Sequence, residues 1–188
     1  MNQTQEDKWA IIDAIVDLEL QMFQSVNALP GEGKACQERP DTFKIMRWMH
    51  HSVLTPATLT SYLEDLQVAV EQERNLVTEK YARMEGQIPQ LKDNPRIYQI
   101  AEIECAWMKE LRHRFPHTIQ GNDNSFRNYL ICELETYSDE TLERLWGDIQ
   151  EAQVRNLNLP ELRYRNLFRR MGYKSLEEVE QKYISEKK

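Results

Sequence analysis

Apolar residues recur along this chain at three- and four-residue spacing, the signature of helices that bury one face, and no stretch alternates with the two-residue period of a strand. The first such stripe is Ile11, Ile12, Ile15, Val16, Met22, Phe23 and Val26, closed by Pro30-Gly31. A loop carrying Gly31, Gly33 and Cys36 leads to Asp41, the expected N-cap of a second helix with Phe43, Met46 and Leu54 on one side. Thr55-Pro56 opens a third, because the hydroxyl satisfies a free backbone donor and proline fits the first helical position. Its apolar face is Leu59, Tyr62, Leu63 and Leu66, and a fourth helix runs from about Leu76 to Glu85. Gly86 to Asn94 reads as a linker, and Asn94-Pro95 as a new start. Beyond it a fifth stripe (Ile100, Ile103, Trp107, Met108, Leu111) stops near Phe115-Pro116, and Ser125 precedes a sixth with Phe126, Tyr129, Leu130 and Tyr137. Ser138 and Pro160 open two more, and Ser175 with Glu178 forms a capping box for a short last helix. The expected fold is an all-α bundle of about eight or nine helices.

The stripes also repeat in order. Ile15 to Phe23 aligns with Ile100 to Met108 without a gap; Phe43 matches Phe126, and Leu59, Asp65, Leu66, Gln67 and Ala69 match Leu142, Asp148, Ile149, Gln150 and Ala152 at the same spacing. After a small shift Arg74-Asn75-Leu76 answers Arg155-Asn156-Leu157, and Tyr81 to Met84 answers Phe168 to Met171. The expected organisation is one compact domain over 1–188, with one half at about 6–86, the other at about 95–188, and a pseudo-twofold relation between them.

Composition narrows the classes. Of 188 residues 40% are apolar, enough for one core, while 29% are charged and the net charge of −7 repels a phosphate backbone, so no nucleic acid is expected. The first eight residues lack the basic and apolar regions of a secretory signal, and no apolar run is long enough for a membrane span. Three cysteines, Cys36, Cys105 and Cys132, without CxxC spacing, point to neither a disulfide framework nor structural zinc. The expected setting is a bacterial cytoplasm.

The run Ile11 to Glu19 ending in Met22-Phe23, the Cys36-Gln37 pair, the block Asn75-Leu-Val-Thr-Glu-Lys-Tyr-Ala-Arg-Met84 and Glu133-Leu-Glu-Thr-Tyr-Ser138 together resemble the bacterial domain of unknown function 4125 family. The likeness covers nearly the whole chain and implies no particular activity. The chain departs from the family pattern in a shorter connection between the fifth and sixth helices and in having His50 where glutamine is expected.

Candidate chemistry lies where polar side chains interrupt buried stripes, since an unpaired charge in a core is costly. Glu19 falls among Ile15, Val16, Met22 and Phe23, and Glu104 takes the matching place among Ile100, Ala101, Trp107 and Met108, so the two could face each other. Arg47 and His50 lie on the second stripe, and Glu133 lies between Tyr129, Leu130 and Tyr137. These residues are expected to converge between the halves, with two readings open. Either Arg47 pairs with the glutamates and fixes how the halves dock, or Glu19, Arg47, His50, Glu104, Glu133 and Tyr137 line a pocket for a small polar ligand, with glutamates of raised pKa able to move protons.

Other features are weaker. Cys36 could be a reactive thiol near a helix N-terminus. Glu110 to His113 is a single Glu-x-x-His pair where a dimetal bundle needs two, so no metal or cofactor is expected. Arg112 and His117 match a helical nuclease spacing broken by Pro116, and Arg163, Arg165, Arg169 and Arg170 read as a solvated basic face. Dinucleotide, P-loop, zincin and α/β-hydrolase motifs are absent. Three functions remain: a binding or accessory protein with a polar ligand site between its halves, an enzyme using the buried carboxylates, or a protein interaction module.

Overall fold

The computed structural model describes residues 3–26 and 40–186. Among them are nine α-helices and no strand: α1 (Gln3–Gln24), α2 (Pro40–His51), α3 (Pro56–Glu71), α4 (Leu76–Met84), α5 (Pro95–Arg114), α6 (Asp123–Leu134), α7 (Asp139–Val154), α8 (Leu159–Arg170) and α9 (Leu176–Glu186). None of these helices is long and apolar enough to cross a membrane. Cys36 lies outside the described residues.

Short polar side chains start most helices. Thr55, Asn75, Asn94, Asn122, Ser138 and Asn158 each accept a backbone N–H of the first turn they cap, with proline in the first turn of α3, α5 and α8. Three starts differ from expectation. α2 begins at Pro40, so Asp41 lies within its first turn instead of capping it. Asn122, not Ser125, caps α6, because its side chain reaches the N–H groups of both Asn124 and Ser125. α1 begins well before its apolar stripe, at Gln3. At α9, Ser175 accepts from the Glu178 N–H, but Glu178 reaches back to the N–H of Lys174, one residue earlier than a capping box requires.

α1 packs on α2, α3 and α4, and α5 packs on α6, α7 and α8; α2 then lies against α8, α4 against α6 and α3 against α7. The main core is built on fully buried Ile12, Ile15, Leu59, Leu66, Ile97, Ile100, Leu142 and Ile149. A second cluster, with Leu111, Phe115, Ile119 and Phe168, is closed by Leu176 and Val179 of α9. Met46, expected on the buried side of α2, is 42% exposed.

Polar contacts between elements come in matched forms. Asp148 accepts the Thr55 N–H and hydroxyl at 3.0 and 2.8 Å, and Asp65 accepts the Ser138 N–H at 2.9 Å. The Asn75 amide donates to the Met22 carbonyl at 2.8 Å, and the Asn158 amide to the Trp107 carbonyl at 3.0 Å. Each of these asparagines therefore caps its own helix and satisfies a carbonyl of the long first or fifth helix. Just before them Glu73 and Asn156 take left-handed backbone (φ 56° and 54°), ending α3 and α7 with bonds from Arg74 to Ala69 and from Leu157 to Ala152.

Asn75→Ala removes both roles at once and is expected to cost about 1–2 kcal/mol. Asn75→Asp, which keeps the cap acceptor, should cost less. Urea unfolding measures both, and equal midpoints for Asn75→Ala and the wild type would contradict the dual role.

Candidate functional site

The interrupted stripes do meet, in a closed ionic network at the centre of the main core. Glu19 of α1 points inward from the Ile15, Val16, Met22, Phe23 face and is 1% exposed. Arg47 of α2 lies between it and Glu133 of α6. Its Nε and Nη2 donate to Glu19 at 2.8 and 2.5 Å, and its Nη1 and Nη2 donate to Glu133 at 3.2 and 2.8 Å. One planar guanidinium thus grips two carboxylates from different helices, the geometry that arginine offers and lysine does not.

The remaining lone pairs are also taken. Tyr62 of α3 donates to Glu19 at 2.8 Å, and Tyr137, just past α6, donates to Glu133 at 3.3 Å. Lys80 of α4 donates to Glu133 at 3.2 Å and to the Tyr129 hydroxyl at 3.0 Å, with its ammonium 4.5 Å from the centre of the Tyr129 ring. His51 sets Nε2 within 3.3 Å of both Glu19 oxygens. An ionised carboxylate only accepts, so Nε2 carries the proton and the buried Nδ1, which has no partner, is left as a bare lone pair. Two cations, Arg47 and Lys80, balance two anions, Glu19 and Glu133.

Electrostatics fix these protonation states. Burial opposes ionisation of Glu19, but Arg47 and His51 outweigh it and hold the carboxyl well below its usual range. Burial is likewise outweighed at Glu133 by Arg47 and Lys80. Burial, with nearby carboxylates, pushes the Tyr62, Tyr129 and Tyr137 hydroxyls up, so they stay protonated. Burial also pushes His50 and His51 down, helped at His50 by the charge of Arg163. The glutamates are therefore the reverse of what proton transfer by raised-pKa carboxylates needs. The space left among Glu19, Arg47, Tyr62, Lys80 and Glu133 is ≈10 Å³, about the least that admits a single water.

Of the residues read from sequence, Glu19, Arg47, Glu133 and Tyr137 come together here, and His50, 19% exposed at its side chain, stands 3.7 Å from Glu133. Glu104 does not join them. It pairs instead with Arg163 of α8, whose Nη1 and Nη2 donate to its two oxygens at 2.6 and 2.9 Å. Arg163 is accordingly not part of a solvated face, being 6% exposed on the same side as Leu159, Pro160 and Leu167. Lys80, His51, Tyr62 and Tyr129 join the first group and Arg163 the second. Lys80 could have been found by the criterion that singles out Glu19, since it falls on the Leu76, Val77 face of its helix, and His51 lies one turn on from Arg47.

Elsewhere the weaker candidates are accounted for. Glu110 and His113 are exposed at the end of α5, Arg112 pairs with Asp123, and the backbone N–H of His117 donates to Glu180. Cys132 is buried and Cys105 half-buried, with burial pushing both thiols up. Among the described residues no group of three or more His, Cys, Asp or Glu side chains is placed to hold a metal ion.

Arg47→Ala strands two buried carboxylates and is expected to destabilise the fold by about 3–5 kcal/mol, read from chemical unfolding. A loss below about 1 kcal/mol would contradict the network's role. The pH dependence has a definite sign. The lowered folded-state values of His50 and His51 mean that the unfolded chain binds protons first, so stability falls as pH drops below about 6.5. The lowered Glu19 and Glu133 values add a second loss as pH falls through and below about 4.5. Unfolding midpoints across pH 4 to 8 check this, and a flat profile would contradict it.

No curated protein and no solved structure matches the chain. A family model described as Protein of unknown function (DUF4125) matches residues 9–181, a span that takes in every residue of the network. The chain belongs to the DUF4125 family.

Proposed function

We propose that this protein is a helical interaction module, in which two related halves are locked together by the Arg47 network and the outer helical faces meet a partner. One observation carries the reading: Arg47 fills the space between Glu19 and Glu133, every carboxylate there is satisfied, and ≈10 Å³ is left for a ligand. A polar ligand site at the same place would need Arg47 to swing out and leave two buried anions without their main partner, at a cost of several kcal/mol. An enzyme using these carboxylates would need them to release or take protons near neutrality, which Arg47 and Lys80 oppose.

The duplicated, pseudo-twofold arrangement is part of the proposal. It is supported by the matched contacts, in which Thr55, Asp65, Glu73 and Asn75 answer Ser138, Asp148, Asn156 and Asn158 at one constant offset. This register sets the cap Asn75 against Asn158, two residues beyond the Asn156 that sequence alone aligns with it. It also sets Lys80 against Arg163, so the two buried cations of α4 and α8 take equivalent places while serving different glutamates. The exchange of partners breaks the symmetry in the core and ties the first half to the second through Glu133. A cytoplasmic setting fits Cys105 and Cys132, which form no disulfide.

The test is thermal unfolding of the full chain against a panel of small carboxylates, amines, nucleotides and divalent cations at millimolar concentration. The interaction-module reading expects no rise in midpoint, whereas a ligand at a hundred times its Kd stabilises by about 2.7 kcal/mol. A compound that raises the midpoint of the wild type but not of Glu133→Gln would overturn the reading in favour of a ligand site.

A further inference from the structure

Outside the network, a surface groove lies between α1, α2 and α8. It has a volume of ≈490 Å³ and is lined by Trp9, Asp13, Trp48, Asn166, Arg169 and Arg170. Asp13, Trp48 and Arg170 also line a neighbouring hollow of ≈460 Å³ between α1 and α2, so the two are continuous. The floor is aromatic: Trp9 and Trp48 stack with ring centres 5.4 Å apart, and the Arg170 guanidinium lies 4.5 Å from the Trp48 ring centre. Arg169 and Arg170 are exposed, and neither has a carboxylate partner among the described residues.

The opposite half shows what can cross the equivalent helix–helix contact. At the base of the groove Asn166 donates to the Ser52 hydroxyl at 3.0 Å, and at the equivalent place Arg83 donates to Glu135 at 2.9 Å. There the non-helical connection between α4 and α5 passes over the contact. The Leu91 N–H donates to Glu135 at 3.2 Å, and the Gln90 amide donates at 2.9 Å to Tyr98, which answers Asp13. After α8 the chain does not repeat this path. It turns at Gly172 (φ 92°) into α9, which packs on Leu111, Phe115 and Ile119 and contributes nothing to the groove.

Resting on the twofold arrangement proposed above, we propose that the α1, α2, α8 groove receives an extended peptide segment of a partner protein, with proline or aliphatic side chains on the Trp9–Trp48 floor and a carboxylate against Arg169 and Arg170. The chemistry follows from the surface. Tryptophan faces take proline and aliphatic side chains, aromatic-lined grooves are a recurrent seat for extended segments, and buried Trp and Arg dominate such contacts. The connection that crosses the equivalent Arg83–Glu135 contact is likewise non-helical and carries Ile88, Pro89 and Leu91, of which Pro89 and Leu91 are exposed. The two arginines without carboxylate partners seat one carboxylate at the α8 end, while Asp13, Asp17 and Asp41 along the α1–α2 side repel a continuous run of negative charge such as a nucleic acid backbone.

The test uses the full chain and two fluorescein-labelled heptapeptides. One is residues 87–93 with glutamate in place of the lysine, Gln-Ile-Pro-Gln-Leu-Glu-Asp, and the other ends in Lys-Lys. Fluorescence anisotropy should show saturable binding of the acidic peptide, at least about tenfold tighter than the basic one. Trp48→Ala and the exposed double change Arg169→Glu, Arg170→Glu should each weaken it by about tenfold or more. The arginine variant keeps the test valid if Trp48→Ala fails to fold. No saturable binding, or binding indifferent to the arginine reversal, overturns the proposal. So does a dimer in sedimentation velocity that Trp48→Ala dissociates, because the groove would then hold a second copy of this chain. The twofold arrangement is judged separately by superposing the halves of a crystal structure. Halves that superpose without peptide binding remove only the groove, and halves that do not superpose remove the arrangement beneath it.

Discussion

The structure turns on one guanidinium. Arg47 is held by Glu19 of α1 and Glu133 of α6, and among the described residues no other buried group bridges the two carboxylates. Charges at that depth are tolerable only when each has its partners, and here the count closes. Arg47 and Lys80 face Glu19 and Glu133, Tyr62 and Tyr137 supply neutral donors, and Arg163 with Glu104 forms a second balanced pair on α8 and α5. Apolar packing alone would let helices of similar width and pattern slide or exchange. The arginine accepts one register of α1, α2 and α6, which makes the network a specifier of docking more than a source of net stability.

The same closure sets what the site does chemically. Carboxylates stabilised as anions, tyrosines held protonated and histidines held neutral make a core that resists proton exchange. Two of these groups keep a buried nitrogen without a partner, His51 at Nδ1 and Arg163 at Nε. On the outside of the bundle, the stacked tryptophans of α1 and α2 and two exposed arginines of α8 bring aromatic area and charge together.

Much of this was legible in the sequence, for reasons that also mark where reading fails. Helices could be found because apolar stripes and the Thr55, Asn94 and Ser138 caps are local signals. Glu19, Arg47 and Glu133 could be found because a charge on such a stripe announces itself. Their partners were harder to find. Glu104 looked like the mate of Glu19 from its matching position, but which cation reaches a carboxylate depends on side-chain length and on which helix lies opposite, and α8 brings Arg163 to it first. Arg163 was hidden by its neighbours: Arg165, Arg169 and Arg170 are all less buried, and only the four-residue step from Leu159 to Leu167 separates the inward arginine from the outward ones. The Trp9–Trp48 stack joins residues far apart in the chain, and no local pattern contains it.

The central claim, that the network is a charge-balanced lock, is tested most directly by comparing Arg47→Met with the double variant Arg47→Met, Glu19→Gln in urea unfolding. The single change leaves one buried anion in excess, whereas the double change restores balance, leaves Lys80 with Glu133 and keeps an acceptor for Tyr62. The account predicts that the double variant is more stable than the single one despite carrying a further substitution in the core. A double variant less stable than Arg47→Met would contradict it.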